Sequence, residues 1–73
     1  MPVTPSLNAS EVVKIFGSFG WQISRQNGSH IVLVKEGASA TLSVPNHKPV
    51  ARGTLRSLIR DAGLTVSEFV SAK

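Results

Sequence analysis

The 73-residue chain has no cysteine. That excludes a disulfide scaffold and any thiolate metal site, and it accords with a reducing cytoplasm, the expected location. Acidic residues are few: four Asp and Glu stand against eight Lys and Arg, a formal net charge of +4. On so small a body this excess favours polyanions such as nucleic acid, or an acidic protein partner, although a merely soluble basic surface has the same composition. Aromatics are scarce as well, one Trp and three Phe. All four sit in apolar stripes, which argues against base-stacking platforms and for recognition of nucleic-acid shape and backbone. No apolar run approaches the roughly 20 residues of a membrane span, and the opening MPVTPSLN lacks the basic and apolar regions of a secretory signal. No membrane contact is therefore expected. Hydrophobic residues at 41% and charged ones at 16% describe a chain that folds.

The length allows one domain, residues 1–73, with residues 1–6 as a loose lead-in. A first helix begins where Asn8 and Glu11 form a capping box and Leu7 can staple against Val12. Val12, Ile15, Phe16 and Phe19 give it an apolar face, and Gly20 is expected to end it. Two strand-like runs follow, Trp21 to Gln26 and Ser29 to Val34, joined by Asn27-Gly28. A two-residue Asn-Gly turn fixes the register. Arg25 then faces His30, Ile23 faces Val32, and Trp21 faces Val34. The core face is expected to carry Trp21, Ile23, Val32 and Val34, with Arg25 and His30 at its turn end, leaving Ile31 and Leu33 outside. A third strand, Ala40 to Val44, sets Ala40, Leu42 and Val44 against Val34, Val32 and His30 only if the loop around Glu36-Gly37-Ala38 has an odd number of residues, and Pro45 closes it. A second helix runs from about Arg52 to Ala62 with Leu55, Leu58, Ile59 and Ala62 buried, and Gly63 stops it. Thr65 and Glu68 form another capping box, stapled by Leu64 and Phe69, and open a short third helix. The fold class is α+β: α-β-β-β-α plus a short terminal helix, with a three-stranded antiparallel sheet covered by helices on one face.

His30 is the residue best placed for chemistry. Imidazole can take or give a proton in phosphodiester cleavage, and a neighbouring guanidinium such as that of Arg25 can hold the phosphate. A strand histidine half-covered by helices, with no chemical role, is the bland alternative and the commoner case for a lone histidine. Ser29 has no Ser-His-Asp arrangement around it, so a nucleophilic serine is not expected. His47, in the Pro45 to Pro49 loop, is either a second proton carrier or phosphate contact, or an exposed loop histidine. With no His-x-x-x-His pair and no carboxylate cluster, no metal or other cofactor is expected. Any RNA cleavage is then expected to use the adjacent 2′-hydroxyl, with His30 as general acid or base. Arg52, Arg56 and Arg60 recur every fourth residue, preceded by Lys48. Such a stripe can track a phosphate backbone, and it is equally a solvated helix face.

Together, the runs RQNGSHIVL (25–33) and SVPNHKPVARGTLRSLIRDAGLTVSEF (43–69) closely resemble the HicA (YcfA-like) toxin family. That family's pattern is a helix ending in Gly-aromatic, then Arg-Gln-x-Gly-Ser-His, Val-Pro-x-His, and Gly-Thr-Leu-x-x-Ile-Leu-x-x-Ala-Gly-Leu. Here these are Gly20-Trp21, Arg25 to His30, Val44 to His47, and Gly53 to Leu64, with Leu58-Ile59 in place of Ile-Leu. Each motif is weak alone, but their order and spacing over about residues 7 to 70 are specific. The resemblance implies a double-stranded-RNA-binding-like fold and ribosome-independent mRNA cleavage. It implies His30 as the catalytic residue, with Gly28 and Ser29 as its supporting motif. It implies a HicB-type antitoxin that blocks the site, with any DNA contact made through that antitoxin. Two departures stand out. The strand after His30 is more apolar than the family's usual mixture, and the next hairpin tip is Glu-Gly-Ala-Ser rather than Pro-Asp-Gly. With Ile31 and Leu33 outside, that strand would suit antitoxin docking. The competing readings are a non-catalytic RNA-binding module of the same shape, with His30 structural, and a stand-alone domain that pairs with another protein.

Overall fold

The computed structural model describes residues 4–73. The first three residues of the expected lead-in lie outside the described residues, and within that stretch Thr4 is buried. The elements are α1 (Ala9–Gly17), β1 (Gln22–Asn27), β2 (His30–Val34), β3 (Leu42–Pro45), α2 (Arg52–Asp61) and α3 (Val66–Ser71). The strands form one antiparallel sheet in the order β1-β2-β3. The order and layering are those of a double-stranded-RNA-binding domain, as expected.

Local chemistry sets the helix ends. Glu11 accepts the Asn8 N–H at 3.0 Å, and the Asn8 carbonyl accepts Val12 N–H at 3.0 Å, so α1 starts where the capping box places it. At α3 the box is reciprocal: Thr65 Oγ1 accepts Glu68 N–H at 3.1 Å, and Glu68 accepts Thr65 N–H at 2.9 Å. Caps of this kind contribute about 1 kcal/mol each. The regular turns of α1 stop at Gly17, three residues before the expected stop. Gly20, at φ 97°, then reverses the chain so that Trp21 N–H reaches the Phe16 carbonyl at 3.2 Å. Val12, Ile15 and Phe16 of α1 meet Leu55, Leu58 and Ile59 of α2 in one core, and Phe16 tilts against Phe69 of α3 with ring centroids 5.0 Å apart.

The sheet differs from expectation in register and in which of its faces the helices cover. Asn27 remains in β1 and pairs with His30, so the two turn residues are Gly28 and Ser29. Gln26 then pairs with Ile31 and Arg25 with Val32, in place of Arg25 with His30 and Ile23 with Val32. On the other side, Ile31 pairs with Val44 and Leu33 with Leu42, in place of Val32 with Leu42 and His30 with Val44. Arg25, His30 and Val32 share a face in either hairpin register; what differs is the face that the helices cover, and a one-residue slip of β3 sets Val44 and Leu42 beside Ile31 and Leu33 on it. Ile31 and Leu33 are therefore core residues, 7% and 0% exposed, and cannot form an outer docking surface. Ile23 and Val34, expected inside, are 54% and 37% exposed.

Energetics explain the choice. Burying Ile31 and Leu33 in place of two valines adds methylene groups to the core, each contributing about 0.8 kcal/mol. The turn accommodates this readily. Within the turn only Gly28 takes a positive φ, at 41°, and among the described residues no non-glycine residue does, so Asn27 is spared a left-handed conformation. A bulge between Ile23 and Arg25 then restores the alternation further along β1. The extra residue, Ser24, shifts Ile23 opposite Leu33 and Gln22 opposite Val34. Trp21 consequently returns to the inner side, where it is 4% exposed.

The register makes a direct prediction. Leu33→Ala should lower the unfolding free energy in urea by about 2–5 kcal/mol, and Val32→Ala by well under half of that. The opposite ranking would indicate that Val32, and not Leu33, faces the core.

Candidate functional site

The site is built at the tip of the β1-β2 hairpin. Gly28 and Ser29 turn the chain, and His30 is the first residue of β2, flanked across the strands by Asn27 and Pro45. His30 was expected on the helix-facing side, but because Ile31 and Leu33 take that side it stands on the open face of the sheet. There it is exposed. An imidazole packed under helices would be closed to a polymer, whereas one on an uncovered sheet can meet an RNA strand. Ser29 Oγ lies 3.2 Å from His30 Nδ1.

Arg25 also lies on the open face and is exposed, but it pairs with Val32 rather than with His30. The two are diagonal neighbours, a separation of roughly 7–8 Å between backbones that a long side chain spans. Asn27 is the direct cross-strand neighbour of His30, a place hidden while Asn27 is assigned to the turn. Sliding the turn by one residue is the signal that reveals it. Val32 and Val34 continue the same face and give it an apolar half.

His47 is exposed, in the segment joining β3 to α2. Its backbone is tethered: His47 N–H donates to Pro45 O at 2.9 Å, and Ala9 N–H donates to His47 O at 3.3 Å. Next to it, Asn46 N–H donates to the Ser29 carbonyl at 2.7 Å. The hairpin tip and the His47 segment are thus fastened together, and Lys48 follows, exposed. Among the described residues, no group of three or more His, Cys, Asp or Glu comes together.

Arg52, Arg56 and Arg60 are all exposed on α2. At about 100° per residue each step of four advances the stripe by about 40°, so it runs along one flank of the helix beside the Leu55-Leu58-Ile59 face. Arg56 and Arg60 line a cavity of about 340 Å³ with Gly53, Ser57, Ile59, Leu64 and Val66. The helix starts at Ala51 without a side-chain cap and without an acidic residue in its first turn. The stripe belongs to the helix layer and does not share the face of His30. The segment carrying Lys48 connects the two.

The family model described as "HicA toxin of bacterial toxin-antitoxin" matches residues 9–64, a stretch that takes in every residue of the hairpin, the His47 segment and α2. No curated protein sequence matches the chain. No helix among the described residues is long and apolar enough to cross a membrane.

The turn supplies a prediction of its own. A Cβ at Gly28 meets nothing within 4 Å, so its cost comes from the positive φ alone. Gly28→Ala should destabilise by about 1–2 kcal/mol in thermal denaturation. Gly53→Ala, also unobstructed but helical, should be neutral or stabilising by up to about 1 kcal/mol.

Proposed function

Because the chain belongs to the HicA toxin family of bacterial toxin-antitoxin systems, we propose that it is a ribosome-independent endoribonuclease that cleaves mRNA in the cytoplasm and arrests translation. The observation that carries this reading is His30 exposed on the open sheet face, with Ser29 against its ring and Arg25 on the diagonal.

The chemistry uses the nucleophile that RNA provides. His30 Nε2 takes the proton of a 2′-hydroxyl as that oxygen attacks the adjacent phosphorus. The bond from phosphorus to the 5′-oxygen breaks, and the leaving oxygen gains a proton from His47, the second carrier on the adjoining segment. The products are a 2′,3′-cyclic phosphate and a 5′-hydroxyl, and no step needs a metal ion. Arg25 offsets the charge that builds on the non-bridging oxygens. Acid–base catalysis of this kind contributes about 10²- to 10⁴-fold. Lys48 and the Arg52-Arg56-Arg60 flank hold the RNA backbone beyond the cleavage point.

A family toxin implies an antitoxin, here of the HicB type. To block the site it must cover the open face, where Val32 and Val34 offer apolar contact. Contact of the toxin with DNA is then indirect, through the antitoxin.

His30→Ala should fold normally, bind RNA, and lose at least about 100-fold in cleavage, with growth arrest abolished in cells expressing it. Equal cleavage by the variant would overturn the assignment. A wild type that binds RNA but cuts none would instead identify a binding module. Arg56→Gln should weaken RNA binding and lower the slope of log K against log salt by roughly 0.7–0.9.

A further inference from the structure

We propose that Ser29 is a positioning residue whose Oγ accepts a hydrogen bond from His30 Nδ1–H, holding the imidazole in the tautomer that leaves Nε2 bare. This deepens the endoribonuclease reading and rests on it.

The geometry begins with the turn. Successive side chains in a strand point to opposite faces, so a strand serine preceding a histidine would be directed away from it. Ser29 escapes that rule because it is the second turn residue and not the first residue of β2. Its hydroxyl can then double back to the next ring, at 3.2 Å from Nδ1. The position of the turn at Gly28-Ser29 therefore allows this contact. Its backbone is fixed independently, since the Ser29 carbonyl accepts Asn46 N–H at 2.7 Å.

The chemistry then selects one direction for the bond. A neutral imidazole has one N–H and one bare nitrogen, and the partner of one nitrogen decides the state of the other. Were the serine to donate to Nδ1, Nε2 would carry the hydrogen and could not act as a base. With Oγ accepting, Nε2 is bare and free to take the 2′-hydroxyl proton. The imidazolium formed in that step still donates from Nδ1, so the contact persists without rotation of the ring. A hydroxyl suits this role on an exposed hairpin tip because it adds no charge beside the incoming phosphate.

The test combines kinetics on a single-stranded RNA oligonucleotide with long-range ¹H–¹⁵N NMR of the His30 ring, for wild type, Ser29→Ala, Ser29→Thr and His30→Ala. Circular dichroism establishes that each variant is folded. Ser29→Ala should lower kcat at least about tenfold with KM within about twofold, the pattern of an interaction used in the transition state. The Nδ1–H form should fall in the same variant, and threonine, which keeps the hydroxyl, should restore both. An unchanged tautomer, an unchanged kcat, or a loss that threonine does not restore would each overturn the proposal. If His30→Ala is inactive while Ser29→Ala cuts like wild type, only the positioning role fails. If His30→Ala itself cuts like wild type, the underlying assignment of His30 fails.

Discussion

Four side chains on the inner face of two strands govern this small protein. Ile31 lies opposite Val44 and Leu33 opposite Leu42, and all four are buried beneath α1 and α2. With so short a chain there is little other apolar surface for the sheet to contribute, so the pairing of these residues outweighs local turn preference. Once they point inward, the alternation of the strand leaves no choice for its polar residues. His30 must face outward, and β1 absorbs an extra residue that brings Trp21 back inside.

The arrangement of the candidate residues follows from the same constraint. The sheet has one face committed to the core and one left open, and His30 and Arg25 share the open one with Asn27. The segment after β3 is fastened to the hairpin tip by Asn46 and Ser29 and to α1 by His47 and Ala9, which keeps a second histidine at the same end of the molecule. From there the chain enters α2 and its arginine flank. Under the proposed function, this is the basic route that an RNA strand on the open face would follow around the sheet edge, and the entrance that an antitoxin on that face would close.

Much of this was legible in the residues themselves. Both capping boxes mark their helices, the α2 stripe of Leu55, Leu58 and Ile59 is buried as its spacing requires, and Gly63 follows the end of α2. The candidate residues Gly28, Ser29, His30 and Arg25 do gather at one hairpin. The faces of that hairpin were not legible. β2 reads His-Ile-Val-Leu-Val, apolar on both sides, so periodicity cannot tell which set is buried. The Asn-Gly pair then pulls the turn one residue too early, and the bulge at Ser24 hides the clue that Trp21 would otherwise supply. Long-range packing resolved what local pattern left balanced.

The central proposal is cleavage by the RNA's own 2′-hydroxyl at a histidine exposed on an open sheet. The most direct measurement incubates the purified toxin, in EDTA, with an RNA oligonucleotide and with the same oligonucleotide carrying a single 2′-deoxyribose at the cleaved nucleotide. Cutting of the all-ribose strand to 2′,3′-cyclic phosphate and 5′-hydroxyl ends, with the deoxy position left intact, is the predicted result. Cleavage at the deoxy position, or activity that EDTA removes and a divalent metal restores, would contradict it.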